Sequence, residues 1–352
     1  MREFFLKIAS FFYWVGIKIR HALFDAKLLH SESFETPIIC VGNITVGGTG
    51  KTPTVEMLVE NYSDQYNIAI LSRGYGRKTT GYREVQATDS YLSVGDEPLQ
   101  MKRKFPNVKV IVCEKRSFAI KRINAEFPEV NLIIMDDGFQ HRYVEPLINI
   151  IIVDANRPIE KDNLLPYGQL RDTKESLTRA HYFIVTKCPL NMKPIDMSLY
   201  KEKLRQKASQ EIYFSRMHSM PASPVFAEVE GTVPYGTEVI AMAGLGDNDA
   251  FFADLTKRYR VVEKIDLPDH HLYRLSDVVR MEQMLKKHPN AVIMTTEKDA
   301  VKLANSTAVP EELRKRLFLE RISLCFMGDS RELFMKIDND IKNRDNGAHV
   351  RG

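Results

Sequence analysis

Residues 38–62 constrain the fold more than any other stretch. Ile38–Gly42 is an uninterrupted apolar run, residues 43–52 read NITVGGTGKT, and Val55, Leu58, Val59 and Tyr62 then recur on one helical face. A buried strand, a glycine-rich loop and a helix, in that order, form the context that a Walker A phosphate loop requires. Gly47, Gly48, Thr49 and Gly50 let the backbone wrap an oxyanion with its N–H groups inward, and the helix start adds partial positive charge. Lys51 is placed to reach the β- and γ-phosphates of a nucleoside triphosphate, and the Thr52 hydroxyl to ligate Mg2+. One position departs from G-x-x-x-x-G-K-[ST], since Thr45 stands at the first glycine.

Leu132–Asp136 supplies the second half of such a site. An apolar strand that ends in Asp136 and Asp137 has the Walker B pattern, whose carboxylates hold Mg2+ directly or through water. Apolar runs at Ile68–Ser72, Val108–Cys113, Ile148–Asp154 and Tyr182–Thr186 alternate with amphipathic segments at Glu97–Lys104, Ser117–Ala125 and Ser198–Ala208. Strands that are apolar on both faces and joined by helices indicate a parallel sheet covered on both sides. Around Met220–Pro234 prolines and a glycine cluster, which marks a linker. A second pattern follows, with strands at Val239–Ala243, Val261–Ile265, Ala291–Thr295 and Ile322–Phe326, and helices at Asp249–Arg258, Ser276–His288 and Ser330–Lys342. The expected architecture is α/β: a P-loop NTPase-like, mostly parallel sheet flanked by helices, a second and smaller α/β domain, and an N-terminal amphipathic helix. The expected divisions are 1–30, 31–222, 223–342 and a polar tail at 343–352.

Composition excludes other classes. With 44% hydrophobic and 27% charged residues the chain is that of a packed globular protein, not a disordered or rod-like one. A net charge of +4 gives no case for nucleic-acid binding, and no obligate protein partner is evident. Cys40, Cys113, Cys188 and Cys325 form no C-x-x-C pair and read as reduced thiols, which fit the cytoplasmic side.

The first 25 residues are different in kind. The uncharged stretch from Ile8 to Ile17 falls far short of the ~20 residues that span a bilayer. Phe4, Phe5, Phe11, Phe12, Tyr13 and Trp14 are flanked by Arg2, Lys7, Lys18 and Arg20. Aromatic residues favour the headgroup boundary and basic residues favour anionic lipid, so this segment reads as a helix lying on a membrane surface; the alternative is an amphipathic helix packed on the body of the protein, and one helix can do both.

Four further clusters decide what the nucleotide is for. Ser72–Arg77 reads SRGYGR, Gly95–Pro98 reads GDEP at a helix start, Asp136–Arg142 reads DDGFQHR, and Pro268–His271 reads PDHH. Phosphoryl transfer to a hydroxyl needs a base, a Mg2+ shell and cations. Asp96 with a histidine partner can supply the base, and Asp136, Asp137 and Glu97 can supply metal contacts.

Together VGNITVGGTGKTP, SRGYGR, GDEP, DDGFQHR, LPYGQLRD, DHHLY and TEKDAVK occur in the order seen in tetraacyldisaccharide 4′-kinases, the lipid A kinases of Gram-negative bacteria. The chain resembles that family from about residue 38 to 302 and in its N-terminal lipid-facing helix, and Thr45 belongs to the family pattern. The resemblance implies ATP-dependent phosphorylation of the 4′-hydroxyl of tetraacyldisaccharide 1-phosphate to lipid IVA at the cytoplasmic face of the inner membrane. It implies Asp96 as catalytic base, His270 as its partner, and Lys51, Thr52, Glu97, Asp136 and Asp137 as Mg2+ and nucleotide contacts. It further implies Arg171 near the phosphorylated headgroup, with Arg73 and His141 as further substrate contacts, and it leaves Lys298 and Asp299 of TEKDAVK without a role. A regulatory ATPase of the partitioning type is disfavoured, because such proteins carry a lysine where Val46 stands.

Overall fold

The computed structural model describes residues 1–304, 306 and 308–345. It divides into two compact units, one of residues 1–73, 113–217 and 324–352, the other of residues 74–112 and 218–323. Residues 74–112, which the sequence alone groups with the phosphate loop, therefore cluster with the later part of the chain. Of the expected polar tail, residues 343–345 form the last turn of a helix that spans Ser330–Asp345, and 346–352 lie outside the described residues.

The first unit is built on parallel strands. Glu211–Ser219, Tyr182–Thr186, Ile148–Asp154, Ile38–Gly42, Leu132–Asp136 and Ile68–Ser72 follow one another across its sheet. Every residue of the five inner and later strands from Tyr182–Thr186 to Ile68–Ser72 is buried, as continuous apolar runs require when helices cover both faces. The helix Lys51–Tyr62 lays Val55, Leu58, Val59 and Tyr62 onto this core. Burying one such side chain contributes roughly 1.5–3 kcal/mol. Register decides where the chemistry emerges: Val41 is level with Asp136, and Asp154 with Thr186. The phosphate loop and both acids thus leave the sheet at the carboxyl ends of its strands, where open α/β sheets bind ligands.

The N-terminal helix, Arg2–Asp25, docks on this unit by one side. Ser10 Oγ donates to Leu164 O (2.9 Å), Tyr13 OH to Arg171 O (3.0 Å), and His21 Nε2 lies 2.7 Å from Asp172. Phe24 is its buried anchor, whereas Phe4, Phe5, Phe11 and Phe12 are each more than half exposed.

The second unit carries a five-stranded sheet in the order Arg260–Asp266, Glu238–Ala243, Val292–Thr296, Leu317–Glu320, Ser223–Pro224. All neighbours are parallel except the last pair. Alternate residues face opposite cores: Ile240, Met242 and Ile293 pack with Val278, Met281 and Leu303, while Val239, Ala241 and Met294 pack with Phe251, Phe252 and Leu255. In this unit the helix Asp96–Lys104 packs against the helix Glu297–Ala304, with Arg103 donating to Val301 O at 2.9 Å.

Most elements fall where the hydrophobic pattern puts them, with instructive departures. The helix expected at 198–208 is Pro194–Leu204; proline pre-sets the first helical turn, and the Asp196 carboxylate accepts from Lys193 N at 2.9 Å. Glu211–Ser219 and Leu317–Glu320 are strands that the sequence reading omits. Ser223–Pro224 adds a short strand inside the expected linker. Cys40, Cys113 and Cys188 are buried free thiols, and Cys325 is exposed.

Candidate active site

In the first unit the loop after Gly42 is held from several sides. Asn43 Nδ2 donates to Thr49 Oγ1 (2.7 Å), Thr186 Oγ1 to Thr49 O (2.6 Å), Lys187 Nζ to Gly48 O (2.7 Å) and Arg157 to Val46 O (3.1 Å). With these carbonyls engaged, the glycine-rich backbone can turn its N–H groups toward an anion, as a phosphate cradle does. Gly50 has φ 100°, and a Cβ there would come within 2.5 Å of Met217 Cε, so no other residue fits without displacement. Asp154 in turn pairs with Lys187 Nζ at 2.8 Å.

Asp137 faces this loop with Lys51 Nζ 3.8 Å away and a two-pronged pair to the Arg171 guanidinium. Burial pushes its carboxyl up, but the Lys51 charge and the Arg171 hydrogen bond outweigh that and hold it at about 2, so it is anionic at neutral pH. Asp136 is buried at the strand end with Ser72 Oγ at 3.4 Å. Thr52 hydroxyl, Asp136 and Asp137 together are hard oxygen donors at the mouth of a phosphate loop, a set whose chemistry fits Mg2+.

The remaining expected contacts of this unit are spread along the same edge. Arg73 follows the strand Ile68–Ser72 and is exposed. Arg116 is 4% exposed, and its charge acts on Asp137 and Asp136. His141 is pushed down to about 4, first by burial and then by Arg116, Arg20 and Arg73, so it is neutral at pH 7. Gln140 Nε2 donates to Asn43 O at 2.8 Å, tying the DDGFQHR loop to the start of the phosphate loop.

The second unit brings Asp96 and His270 together. Gly95, at φ 96°, turns the chain so that Asp96 opens the helix Asp96–Lys104, where the helix dipole favours an anion. Asp96 Oδ2 lies 2.9 Å from His270 Nδ1, and Asp96 Oδ1 accepts from Glu97 N at 3.0 Å. His270 sits at φ 57°, a region that histidine enters more readily than most side chains. The Tyr75 ring lies 5.1 Å from the His270 ring. Lys298 Nζ is 3.4 Å from His270 Nε2, 2.9 Å from Asp269 Oδ1, 3.8 Å from Glu97 and 3.9 Å from Asp96. Lys302 Nζ is 3.5 Å from Asp96 Oδ2. An ammonium only donates, so in neutral His270 the nitrogen facing Lys298 is the acceptor and Nδ1–H donates to Asp96. Burial pushes Asp96 up, yet the His270 hydrogen bond and the Lys298 charge prevail and hold it at about 2. The same hydrogen bond raises His270 above its ordinary value.

Each expected site residue therefore has a defined place in one unit or the other. Gly47, Gly48, Thr49, Gly50, Lys51, Thr52, Arg73, Asp136, Asp137, His141 and Arg171 belong to the first; Asp96, Glu97 and His270 to the second. Sequence reasoning missed Thr186, Lys187 and Asp154 behind the loop, and Lys302 beside Asp96. Asp154 and Thr186 end adjacent strands of the sheet and Lys187 follows the second, so strand order was the signal that could have found them. Nothing in the pattern marks Lys302 as buried.

The strand, phosphate loop and helix, with acids at the neighbouring strand end, define a P-loop nucleotide-binding class. The LpxK family, described as tetraacyldisaccharide-1-P 4′-kinase, matches residues 2–342. A tetraacyldisaccharide 4′-kinase of Parabacteroides distasonis is 38% identical over 95% of this chain and 94% of its own length. One of Porphyromonas gingivalis is 39% identical over 94% of each chain. A crystal structure of LpxK from Aquifex aeolicus in complex with ATP superposes with TM-score 0.74 at 27% identity, covering 97% of this chain and 99% of that one. The chain belongs to the tetraacyldisaccharide-1-P 4′-kinase family. It is a kinase of lipid A biosynthesis that phosphorylates the 4′-hydroxyl of tetraacyldisaccharide 1-phosphate with ATP.

Proposed function

We propose that the Gly47–Thr52 loop of the first unit binds ATP and that Asp96 of the second unit is the base, with His270 orienting it. The observation that carries the reading is the 2.9 Å hydrogen bond between Asp96 and His270, a buried acid held by a half-buried imidazole, a pair that nucleotide hydrolysis alone would not need. In a loose phosphoryl-transfer transition state the attacking oxygen gains little bond order, so its proton leaves late. A carboxylate kept anionic is an adequate acceptor for such a proton. His270 Nδ1–H holds that carboxylate in one orientation while the hydroxyl O–H bond breaks and the proton passes to Asp96.

Thr52, Asp136 and Asp137 would hold Mg2+, which when bound neutralises charge on the phosphates. Lys51 balances the terminal phosphates, and Asp137 keeps Lys51 and Arg171 aligned. Arg171, Arg73 and His141 are assigned to the acceptor's phosphorylated sugar, with His141 as a neutral hydrogen-bonding group. Glu97 stands beside Asp96 and pairs with Lys298.

The acceptor is a lipid, and the N-terminal helix is suited to meet it at the bilayer boundary. Among the described residues no helix is long and apolar enough to cross a membrane. The exposed Phe4, Phe5, Phe11 and Phe12 with Arg2, Lys7 and Lys18 support a surface contact with anionic lipid, which we place at the cytoplasmic face of the inner membrane. The test is incubation with ATP, Mg2+ and a tetraacylated disaccharide 1-phosphate in mixed micelles, followed by mass analysis. One added phosphate is expected, abolished by chelation of the metal and by Lys51→Ala. Nucleotide hydrolysis with unmodified lipid would overturn the reading.

A further inference from the structure

The TEKDAVK segment of the second unit places a fully buried lysine against the proposed base. The Lys302 side chain is 1% exposed, and its ammonium lies 3.3 Å from Asp299 Oδ1 and 3.5 Å from Asp96 Oδ2. A buried ammonium persists only when acids and hydrogen bonds compensate its lost hydration. Here one of the two acids is the residue assigned to catalysis.

Asp299 is itself immobilised. Its Oδ2 accepts from Gly244 N (2.8 Å) and Thr296 Oγ1 (2.8 Å), while Asp299 N donates back to Thr296 Oγ1 (3.1 Å). The last pair is a reciprocal cap on the helix Glu297–Ala304, in the manner of a capping box. Thr296 and Gly244 follow or end the sheet strands Val292–Thr296 and Glu238–Ala243, so Asp299 is fixed to the sheet. A Cβ at residue 244 would lie 3.1 Å from Asp299 Oδ1, leaving no slack there. Lys298, one turn earlier, is more exposed at 13% and shared among Asp269, Glu97, His270 and Asp96. Lys302 faces Asp96 and Asp299 from the interior.

We propose that Lys302 is a positioning residue for the kinase reaction: pinned by Asp299, its ammonium holds the Asp96 carboxylate in the orientation that meets His270. This rests on the reading of Asp96 as the base. The chain of contacts runs from the sheet through Thr296 and Gly244 to Asp299, Lys302, Asp96 and His270. Without the ammonium, Asp96 keeps its helix position but loses the interior contact that selects one rotamer.

The experiment compares Lys302→Met, the double variant Asp299→Asn/Lys302→Met, and Asp96→Asn in the full-length enzyme. Lys302→Met is expected to lower kcat about tenfold or more, with KM for ATP and for lipid within about twofold of wild type. The double variant removes the buried acid left unpaired, so its melting temperature returns toward wild type while kcat stays low. A lysine that merely neutralises Asp299 gives the opposite result, with kcat restored in the double variant, and that overturns the proposal. So does a wild-type kcat in Lys302→Met. Should Lys302→Met fail to fold, the double variant decides alone. If Asp96→Asn itself turns over normally, the base assignment fails and the inference with it; if only Asp96→Asn is impaired, the inference alone fails.

Discussion

Asp96 and His270 lie 174 residues apart in sequence and 2.9 Å apart in space, carboxylate Oδ2 to ring Nδ1. Both are in the second unit, and each alters the other: the hydrogen bond lowers the affinity of Asp96 for a proton and raises that of His270. Asp96, held at about 2, stays ionised at every pH in which the protein would be assayed.

The acidic limb of the rate profile is therefore expected to belong to His270 rather than Asp96. Neutral His270 accepts from Lys298 and donates to Asp96; protonation forces two donors to face each other at Nε2. Activity is expected to rise with pH through a midpoint above 6.5, the ordinary histidine value from which His270 is raised. His270→Gln should lower kcat and remove that limb. A limb of unchanged midpoint in His270→Gln would assign it to another group.

Lys187 and Thr186 are expected to govern nucleotide affinity. Their hydrogen bonds to Gly48 O and Thr49 O keep those carbonyls turned away from the phosphates. Losing one buried partner costs about 1–3 kcal/mol, so Thr186→Val should weaken ATP binding by roughly tenfold while leaving kcat near wild type, and Lys187→Ala, whose bond to Gly48 O is solvent-exposed, should weaken it less. Calorimetric titration with ATP measures this; unchanged affinity in both variants would show that the loop needs no support from behind.

The proposed membrane contact of the N-terminal helix is expected to be separable from folding. Phe4, Phe5 and Phe12 are 64%, 61% and 67% exposed, so replacing all three by serine should leave the melting temperature nearly unchanged. Flotation with anionic vesicles is expected to fall sharply, and turnover on lipid with it, while ATP binding persists. Full flotation of the triple variant would place the membrane contact elsewhere.

The sheet of the first unit was legible because its strands are buried on both faces: Ile38–Gly42, Leu132–Asp136 and Ile148–Asp154 have the limits that their apolar runs mark. Glu211–Ser219 was not, because Glu211, Arg216 and His218 interrupt its hydrophobicity near the edge of the sheet, where partly exposed positions tolerate them. The phosphate loop was legible because its chemistry is local. Asp96 and His270 were paired only through resemblance, since no spacing rule joins residues so far apart. Lys302 stayed hidden for a different reason: a lysine in the last turn of a helix ordinarily reaches solvent, and only the packing of Glu297–Ala304 on Asp96–Lys104 turns this one inward.

The most direct test of the central claim is the single-turnover rate of phosphoryl transfer in Asp96→Asn, measured by rapid quench at saturating ATP and lipid. A general base contributes roughly 10²–10⁴-fold, so the rate should fall by about that factor with ATP affinity almost unchanged. A wild-type transfer rate at saturation, with only the ATP concentration needed for saturation raised, would contradict the assignment of Asp96 as the base.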